Sequence, residues 1–252
     1  MDRAACGVNS ALAGEQAYTQ KMNEPVHLAE AETPAPVGRK AAGREATRTN
    51  DPARTMAGIL SVATAEFAEK GLAGARIDEI AAATQTSKRM IYYYFGSKEG
   101  LYLAVLEEQY RLMRSIESDL HLEDLQPEQA LRRLVEFTFD HHMGNEQYIR
   151  LVMSENMQRG QYLAQSKIIQ ELNVPAIAAI RNLYDRGVAQ GVFRSGLDPL
   201  DIHASISALT FFNVSNRHSF GLIFKTDTTA TAALVARRSN VVDMIVRFVR
   251  AD

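Results

Sequence analysis

Apolar residues recur at helical spacing along most of the chain. Ile59, Ala63 and Phe67, with Leu60 beside them, form the first apolar stripe on one helix face. Gly71 follows this stripe at the position where a helix C-terminal cap is expected. The pattern therefore predicts a first helix that ends near Gly71.

Later stripes predict further helices. Pro127 opens one of them, and Pro175 lies inside another, where it is expected to kink or restart the helix. The approximate predicted ranges are 77–81, 101–118, 127 onward, 146–157, 162–190, 199–221 and 229–250. Because no alternating strand pattern, internal repeat or glycine-rich phosphate loop occurs, the predicted fold class is all-α.

Residues 76–98 predict a helix-turn-helix, in which a turn around Thr84–Thr86 joins two short helices. On a helical wheel of the second helix, Ile91 and Phe95 fall together with Tyr94 beside them. This apolar face is predicted to pack inward.

The opposite face of the second helix carries Arg89 and Tyr93, flanked by Met90 and Tyr92. A helix this short is not stable alone, and exposed tyrosine rings are costly unless they touch a partner. A DNA major groove supplies phosphates for the hydroxyls and thymine methyls for the rings. Lys88, at the helix start, can reach a phosphate or a guanine edge, so the pattern predicts a DNA-reading helix.

Lys98 is placed unusually for a cation. Ser97 is predicted to be an N-cap, which puts Lys98 in the first turn of a long helix, where its charge opposes the helix dipole by about 0.3–1 kcal/mol. A phosphate bound at that N-terminus would explain the placement. The alternative is a surface lysine with no role.

Composition narrows the class of protein. The chain has 252 residues, 46% of them hydrophobic, which is enough for a sizeable core. Its net charge of −2 does not exclude nucleic acid, because a local basic patch binds phosphate whatever the total. The single cysteine, Cys6, excludes a disulfide framework and a cysteine-based zinc site. Without a predicted membrane span or secretory signal, a cytoplasmic location is expected.

The first 50 residues are rich in small and polar residues and show no sustained period, which predicts a disordered arm. The end of this arm is basic, with Arg39, Lys40, Arg44 and Arg48 against Glu45. It is either an inert leader or an arm that follows a DNA backbone or minor groove.

Residues 54–106 resemble the DNA-binding domain of the TetR family of bacterial transcriptional regulators. The stretches that carry the resemblance are Ile59–Ala63, Phe67–Gly71, Ile80–Ala81, Ser87–Phe95 and Ser97–Glu99. The resemblance implies a three-helix DNA-binding head and a helical ligand-binding and dimerisation body. It also implies that Lys88, Arg89, Tyr92, Tyr93 and Lys98 contact DNA. No catalytic residue, metal or cofactor is predicted from the sequence motifs.

Two residues depart from the family's pattern, and a third is unfavourable inside a helix. Arg76 stands where the family usually has a capping Ser or Thr; it cannot cap, but it can pair with a phosphate. Gln85 stands where the family usually has Gly, and a left-handed conformation there would cost about 1–2 kcal/mol. Gly100 lies inside a helix, for which close packing of head on body is one explanation. The complete set of predicted DNA contacts is Arg76, Thr86, Ser87, Lys88, Arg89, Met90, Tyr92, Tyr93 and Lys98.

Polar residues interrupt apolar stripes on three helices of the predicted body. A buried polar group needs a partner, which can be protein, water or ligand. Three helices with this feature favour a polar spot inside an apolar small-molecule cavity. The candidate ligand contacts are His141, His142, Met153, Asn156, Asn213 and Arg217. Arg217 and the histidines would suit a carboxylate or an aromatic acid.

Two body segments, Tyr148–Leu163 and Phe211–Arg217, are similar to a TetR subgroup that includes a repressor of nicotinate catabolism. The last two predicted helices are amphipathic, and the resemblance implies that they pair across a two-fold axis in a homodimer. Packing within one chain is the alternative. The residues concerned are Ala204, Ser205 and Ala208 on one helix and Leu234, Val241, Ile245 and Phe248 on the other.

The sequence leaves two other functions open. Asp140–His142 spells the metal triplet of a phosphoesterase family, which would make the chain a metal-dependent hydrolase, but no further Asp-rich motif completes a two-metal site. A helical protein-interaction module without DNA binding is the second alternative. The favoured interpretation is a homodimeric repressor that a small molecule releases from a palindromic operator. Its predicted parts are an arm at 1–50, a DNA-binding domain at 51–111 and a ligand-binding and dimerisation domain at 112–252.

Overall fold

The structure is a computed structural model that describes residues 51–251. The predictions about the N-terminal arm therefore lie outside the described residues. The helices are α1 (Pro52–Gly74), α2 (Ile77–Ala83), α3 (Lys88–Phe95), α4 (Lys98–Ser118), α5 (Pro127–Gly144), α6 (Glu146–Met157), α7 (Lys167–Ala189), α8 (Pro199–Ser215), α9 (Arg217–Phe224) and α10 (Thr231–Val249). Residues 51–251 contain no β-strand, only one isolated bridge between Phe193 and Arg250, so the all-α prediction is confirmed.

The first three helices and the start of α4 enclose one apolar core, which we call the head. Ile59 and Phe67 of α1, Ile80 of α2 and Ile91 of α3 are buried there, together with Leu101 of α4. The predicted stripes therefore face inward. Burying side chains of this size contributes about 1.5–3 kcal/mol each, which holds together helices too short to be stable alone.

Two backbone positions shape the head as predicted. Gly71 has a φ of 66° and interrupts α1 four residues after Phe67. The turn between α2 and α3 passes through Gln85, which has a φ of 51°. Since side chains with a Cβ avoid this left-handed region, Gln85 imposes the strain foreseen from the sequence.

Helices α5, α7, α8 and α10 enclose a second core, the body. Leu131, Ile180 and Ile206 are buried there beside Val241 and Ile245 of α10. The expectation that Val241 and Ile245 lie in a dimer interface was therefore wrong, because this apolar face of α10 closes the core of its own chain. None of the helices in residues 51–251 is long and apolar enough to cross a membrane.

Two predicted helix boundaries were wrong. The helix predicted at 199–221 breaks at Asn216, whose φ of −110° and ψ of 1° end α8 and begin α9. The helix predicted from Tyr162 begins at Lys167, because buried Glu155 accepts hydrogen bonds from the backbone N–H groups of Tyr162 and Leu163 and holds a turn there. Helix α7 continues through Pro175, so the helix does not restart there, and the kink stays a prediction.

Head and body share α4. Its first half, including Leu106, packs in the head core, whereas Met113 packs against Tyr148 and Val214 of the body. Leu151 of α6 and Ile169 of α7 also enter the head core. A displacement of α4 or α6 would therefore be felt in both regions.

Candidate nucleic-acid interface and buried cluster

Helix α3 is short and is held by a cap and by one buried residue. The Ser87 hydroxyl accepts a hydrogen bond from the Met90 backbone N–H over 3.2 Å. Ile91 is completely buried, and Tyr94 and Phe95 are partly buried against the same core. The inward face predicted by the helical wheel is confirmed.

The opposite face of α3 points to solvent. The Tyr93 side chain is 77% exposed and Tyr92 45% exposed, and Arg89 lies exposed beside them. Large aromatic side chains are normally buried, so two exposed tyrosines on one eight-residue helix mark a contact surface. Met90 is half-buried at the edge of this face.

The α3–α4 junction is built around Ser97 and Gly100. The Ser97 hydroxyl accepts a hydrogen bond from the Gly100 N–H over 3.0 Å, which confirms the predicted N-cap. A Cβ on Gly100 would lie 2.1 Å from the Phe95 carbonyl oxygen. Packing of head on body is therefore not the reason for this glycine. It allows the end of α3 to approach the first turn of α4.

Lys98 lies half-buried in that first turn. Its ammonium donates a hydrogen bond over 3.4 Å to the carbonyl of Ala73, at the end of α1. The contact is exposed to solvent, so the flexible side chain can turn toward a phosphate near the start of α4. Lys98 therefore keeps a cation at the N-terminus of a long helix.

Acidic residues of α2 hold two of the predicted cations. Lys88 forms an ion pair with Asp78, and the Arg76 guanidinium lies 3.9 Å from Asp78 and 4.0 Å from Glu79. Arg76 makes no side-chain cap, as predicted, but its backbone N–H donates to Glu66 over 3.1 Å. These pairs are solvent-exposed and individually weak, so DNA phosphates can replace them.

The predicted DNA contacts therefore fall on one part of the head, from the start of α2 to the start of α4. Two of them have restricted side chains. Thr86 is half-buried, and the Ser87 hydroxyl already serves as a cap. Arg89, Tyr92 and Tyr93 are left as the exposed, outward-pointing groups of α3.

The predicted ligand residues do not form one group. His141 and His142 are buried, and Met153 is half-buried beside the cluster that contains Tyr148. Asn156 was expected on a buried face but is exposed, and its amide donates to the Val152 carbonyl over 2.9 Å. Its position at the end of α6, one residue beyond buried Glu155, points it to solvent.

Asn213 and Arg217 are engaged elsewhere. The Asn213 side-chain oxygen accepts a hydrogen bond of 2.9 Å from Arg237, and its nitrogen donates to the Leu209 carbonyl over 2.7 Å. Arg217 forms an ion pair with Glu146. Both side chains therefore have protein partners, and a ligand that used Arg217 would have to compete with Glu146.

A different set of side chains completes the histidine site, which we call the buried cluster. It consists of Tyr110, Arg114, Glu117, His141, His142, Tyr148, His203 and Phe211. Tyr148 lies at its centre, with ring centroids 5.8 Å from Tyr110, 5.7 Å from His141 and 6.1 Å from His142. Phe211 of α8 lies 6.0 Å from His142. The cluster thus joins residues of α4, α5, α6 and α8.

Sequence reasoning missed the part of the cluster on α4. Tyr110, Arg114 and Glu117 are spaced by four and three residues, which places them on one helix face. The Arg114 side chain is only 10% exposed and forms an ion pair with Glu117. The sequence did contain a signal for this part of the site. Arg114 and Glu117 are charged residues that continue the buried side of α4.

Burial keeps the histidines neutral. Desolvation, with a smaller effect of the Arg114 cation, lowers the pKa of His141 to about 4. Desolvation, followed by the neighbouring His141, lowers the pKa of His142 to about 3. Desolvation also lowers the pKa of His203 and raises the pKa of Glu117. The cluster is therefore a polar site without free charge, since its one arginine is paired.

Nδ1 of His142 and Nε of Arg114 are fully buried in the cluster and have no hydrogen-bond partner among the described residues. An unsatisfied buried polar atom costs about 1–3 kcal/mol, and charged groups cost more. A ligand that forms hydrogen bonds with these two atoms would remove this cost.

The metal-triplet interpretation finds no support in this geometry. Both carboxylate oxygens of Asp140 accept hydrogen bonds of 2.8 Å from Arg238. Asp140 is therefore held by a guanidinium on α10, whereas His141 and His142 face the buried cluster. The three residues do not converge on one point.

Comparison with known proteins bears on both regions. Residues 59–105 match the family described as bacterial regulatory proteins, tetR family. Residues 127–245 match the tetracyclin repressor-like C-terminal domain. The two matches fall on the head and on the body.

Individual proteins agree. The chain is 32% identical over 203 residues to the HTH-type transcriptional repressor NicS of Pseudomonas putida, covering 81% of this chain and 96% of that protein. It is 37% identical over 139 residues to the HTH-type transcriptional repressor SCO4008 of Streptomyces coelicolor, covering 55% and 69%. A tetR-family regulatory protein from Rhodococcus RHA1 has the same fold, with a TM-score of 0.62, 20% identity and coverage of 79% and 99%.

Proposed function

The chain belongs to the TetR family of DNA-binding transcriptional regulators, and we propose that it is a homodimeric repressor released from its operator by a small molecule bound in the body. The observation that carries the DNA-binding part is the outward face of α3, where Tyr93 and Arg89 are exposed opposite the buried Ile91. We place the boundary between the DNA-binding and ligand-binding domains near residue 111, within α4.

Each head places α3 in a major groove. Arg89 reads base edges, while the tyrosine hydroxyls bind phosphates and their rings meet thymine methyls. Lys88, Lys98 and Arg76 neutralise phosphates, and each releases a local ion pair or hydrogen bond to do so. Thr86, Ser87 and Met90 border the contact at the start of α3.

Two copies pair through the exposed side of α8 and α9. Ala204 and Ala208 are exposed on α8, which allows close approach of a second helix. Phe212 is exposed near them, with its ring 5.8 Å from that of Phe220 on α9, and Phe224 continues the row. A two-fold axis through this region would place these apolar surfaces against each other.

The effector binds in the buried cluster. Arg114 Nε is a buried donor, and Nδ1 of His142 is a second polar atom in need of a partner, which suits a carboxylate or another oxygen acceptor. The rings of Tyr148 and Phe211 favour a flat, aromatic guest. His141 lies beside Tyr148 in the buried cluster, and Met153 borders the cluster.

Selection of DNA fragments from a random pool tests the proposal. We expect one palindromic consensus whose half-sites lie about 34–36 Å apart or a multiple of this distance, with affinity that falls steeply with salt. Aromatic carboxylates are then screened for release of the selected duplex. Selection of no sequence, or binding that does not depend on salt, would favour the helical protein-interaction module instead.

A further inference from the structure

Arg150 joins the body to the head. It lies on α6, and its guanidinium reaches the last turn of α1 before Gly71. Its Nε donates a 2.7 Å hydrogen bond to the Ala68 carbonyl, and one Nη donates a 3.1 Å bond to the Glu69 carbonyl. The same Nη lies 3.2 Å from the Glu69 carboxylate. One side chain of the body thus holds three oxygens of the head.

The end of a helix is a suitable anchor for a guanidinium. Backbone carbonyls near a helix C-terminus lack intrahelical donors and carry the negative end of the helix dipole. The break at Gly71 creates such an end. Because the guanidinium is flat and its donors point in set directions, bonds to two successive carbonyls define both the position and the angle of α1.

Arg150 is also connected to the junction of α8 and α9. Glu146, one turn earlier on α6, lies 3.9 Å from Arg150 and forms an ion pair with Arg217. Arg217 is the first residue of α9, directly after the break at Asn216. The preceding helix carries Phe211, which contacts His142 of the buried cluster. A path of contacts therefore leads from the buried cluster to the end of α1.

The other connections between head and body lie on α4 or are apolar. Helix α4 runs through both regions without a break, and its Glu107 accepts a 2.6 Å hydrogen bond from the Ser166 hydroxyl. Leu151 and Ile169 enter the head core as apolar side chains, whose contacts tolerate small shifts. Arg150 supplies hydrogen bonds of fixed direction at a second point away from α4, and two points of attachment define an orientation.

We propose that Arg150 is a positioning residue for operator recognition, which fixes the angle of the head on the body and so selects the spacing of the half-sites. Through its ion pair with Arg217, Glu146 connects the position of Arg150 to the α8–α9 junction. The inference rests on the proposed function, since half-site spacing has meaning only for a dimer on a palindrome.

The experiment measures binding of the full-length protein to two kinds of duplex. One holds a single half-site of the selected palindrome. The others hold the whole palindrome with its half-sites moved apart or together by one or two base pairs. Arg150→Ala is compared with Arg150→Lys and with the matched control Arg132→Ala. Arg132 is 39% exposed against 38% for Arg150, and it bridges Glu128 and Asp243 wholly within the body.

We expect Arg150→Ala to bind the single half-site within about twofold of the wild type but to lose about tenfold on the correctly spaced palindrome. Its preference among the altered spacings should flatten. Arg150→Lys should be intermediate, because one ammonium cannot bridge both carbonyls in fixed directions. Arg132→Ala should keep the wild-type spacing preference.

Equal spacing profiles for Arg150→Ala and Arg132→Ala would overturn the positioning role. A parallel loss on the single half-site would also overturn it, because that result indicates damage to the head itself. If Arg150→Ala fails to fold by circular dichroism, the lysine variant decides, and an unchanged spacing profile there refutes the inference. If the wild type itself selects no palindrome, the proposed function fails separately.

Discussion

The α3 face and the buried cluster place polar groups in opposite settings. The α3 face consists of neighbours in sequence, and Tyr93 and Arg89 lie in water on a helix anchored by one buried isoleucine. The cluster collects residues from four helices, and His141, His142 and Tyr148 at its centre are buried. The first surface can exchange its ion pairs for phosphates, whereas the second is limited by the cost of desolvation.

This difference separates how the two sites can be disturbed. The α3 face depends on the helix being held at the correct angle, because its side chains contact a rigid external partner. The cluster depends on the neutrality and packing of its members. Geometric substitutions should therefore act mainly on the head, and changes of pH mainly on the body.

The largest effect is expected from Gly100→Ala. The new methyl would meet the Phe95 carbonyl oxygen, a backbone atom that cannot turn away. The α3–α4 junction must open, which we expect to cost about 3 kcal/mol of folding free energy and about a hundredfold in operator affinity. Urea denaturation and gel-shift titration measure the two losses.

Gly58→Ala is the matched control for that change. Gly58 lies in α1, and a Cβ there would meet no atom within 4 Å. This substitution should be neutral or stabilise by up to about 1 kcal/mol, as expected for glycine to alanine in a helix. Similar losses in both variants would contradict the close approach at Phe95.

Arg89→Ala should cost about 1–3 kcal/mol of operator binding and relax base choice, because Arg89 is assigned to base edges. Lys98→Ala should weaken binding to all duplexes alike and reduce the salt slope by about one, because Lys98 is assigned to a phosphate. Titrations on the operator and on random duplex at several salt concentrations distinguish them. Identical, sequence-independent losses would refute base reading by Arg89.

The buried histidines predict acid sensitivity of the body. The pKa of His142 in the folded chain, about 3, lies below its ordinary value of 6.5. Between these values the unfolded chain binds a proton that the folded chain does not, so stability falls as the pH falls below 6.5. His142→Gln should lose between about 1 and 2 kcal/mol less than the wild type from pH 7.5 to pH 5.

Urea denaturation at the two pH values measures this difference. The exposed His218 provides the control, since His218→Gln should retain the acid sensitivity of the wild type. An unchanged pH dependence in His142→Gln would show that His142 is not buried in its neutral form.

The smallest expected effect concerns the turn of the head. Gln85→Gly removes the Cβ at a φ of 51° and should stabilise the protein by about 0.5–1 kcal/mol without changing operator affinity. Ala82→Gly, at an exposed position inside α2, should instead destabilise by up to about 1 kcal/mol. Thermal denaturation compares the two glycines, and a loss of stability in both would contradict the strain at Gln85.

The head could be predicted closely because its signals are local. Stripe, cap and turn all occur within a few residues, as at Ser87 and Gly71, and the wheel of α3 correctly separated Ile91 from Tyr93. In the body, the helices were found, but Asn156 is exposed and Arg217 pairs with Glu146, neither of which could be read from the sequence. Each of the two residues follows an apolar stripe at helical spacing, but Asn156 lies at the exposed end of α6 and Arg217 follows a break at Asn216 that periodicity could not reveal.

The sequence by itself determined the all-α class, the order of the helices and the outward face of α3, because these depend on spacing along the chain. Only the tertiary structure decided which polar groups meet. Arg114 lies beside the histidines, Arg217 forms an ion pair with Glu146, and Arg150 donates a hydrogen bond near the end of α1. The physical reason is that burial and pairing are set by distant segments packed together, and helical period carries no information about distant partners.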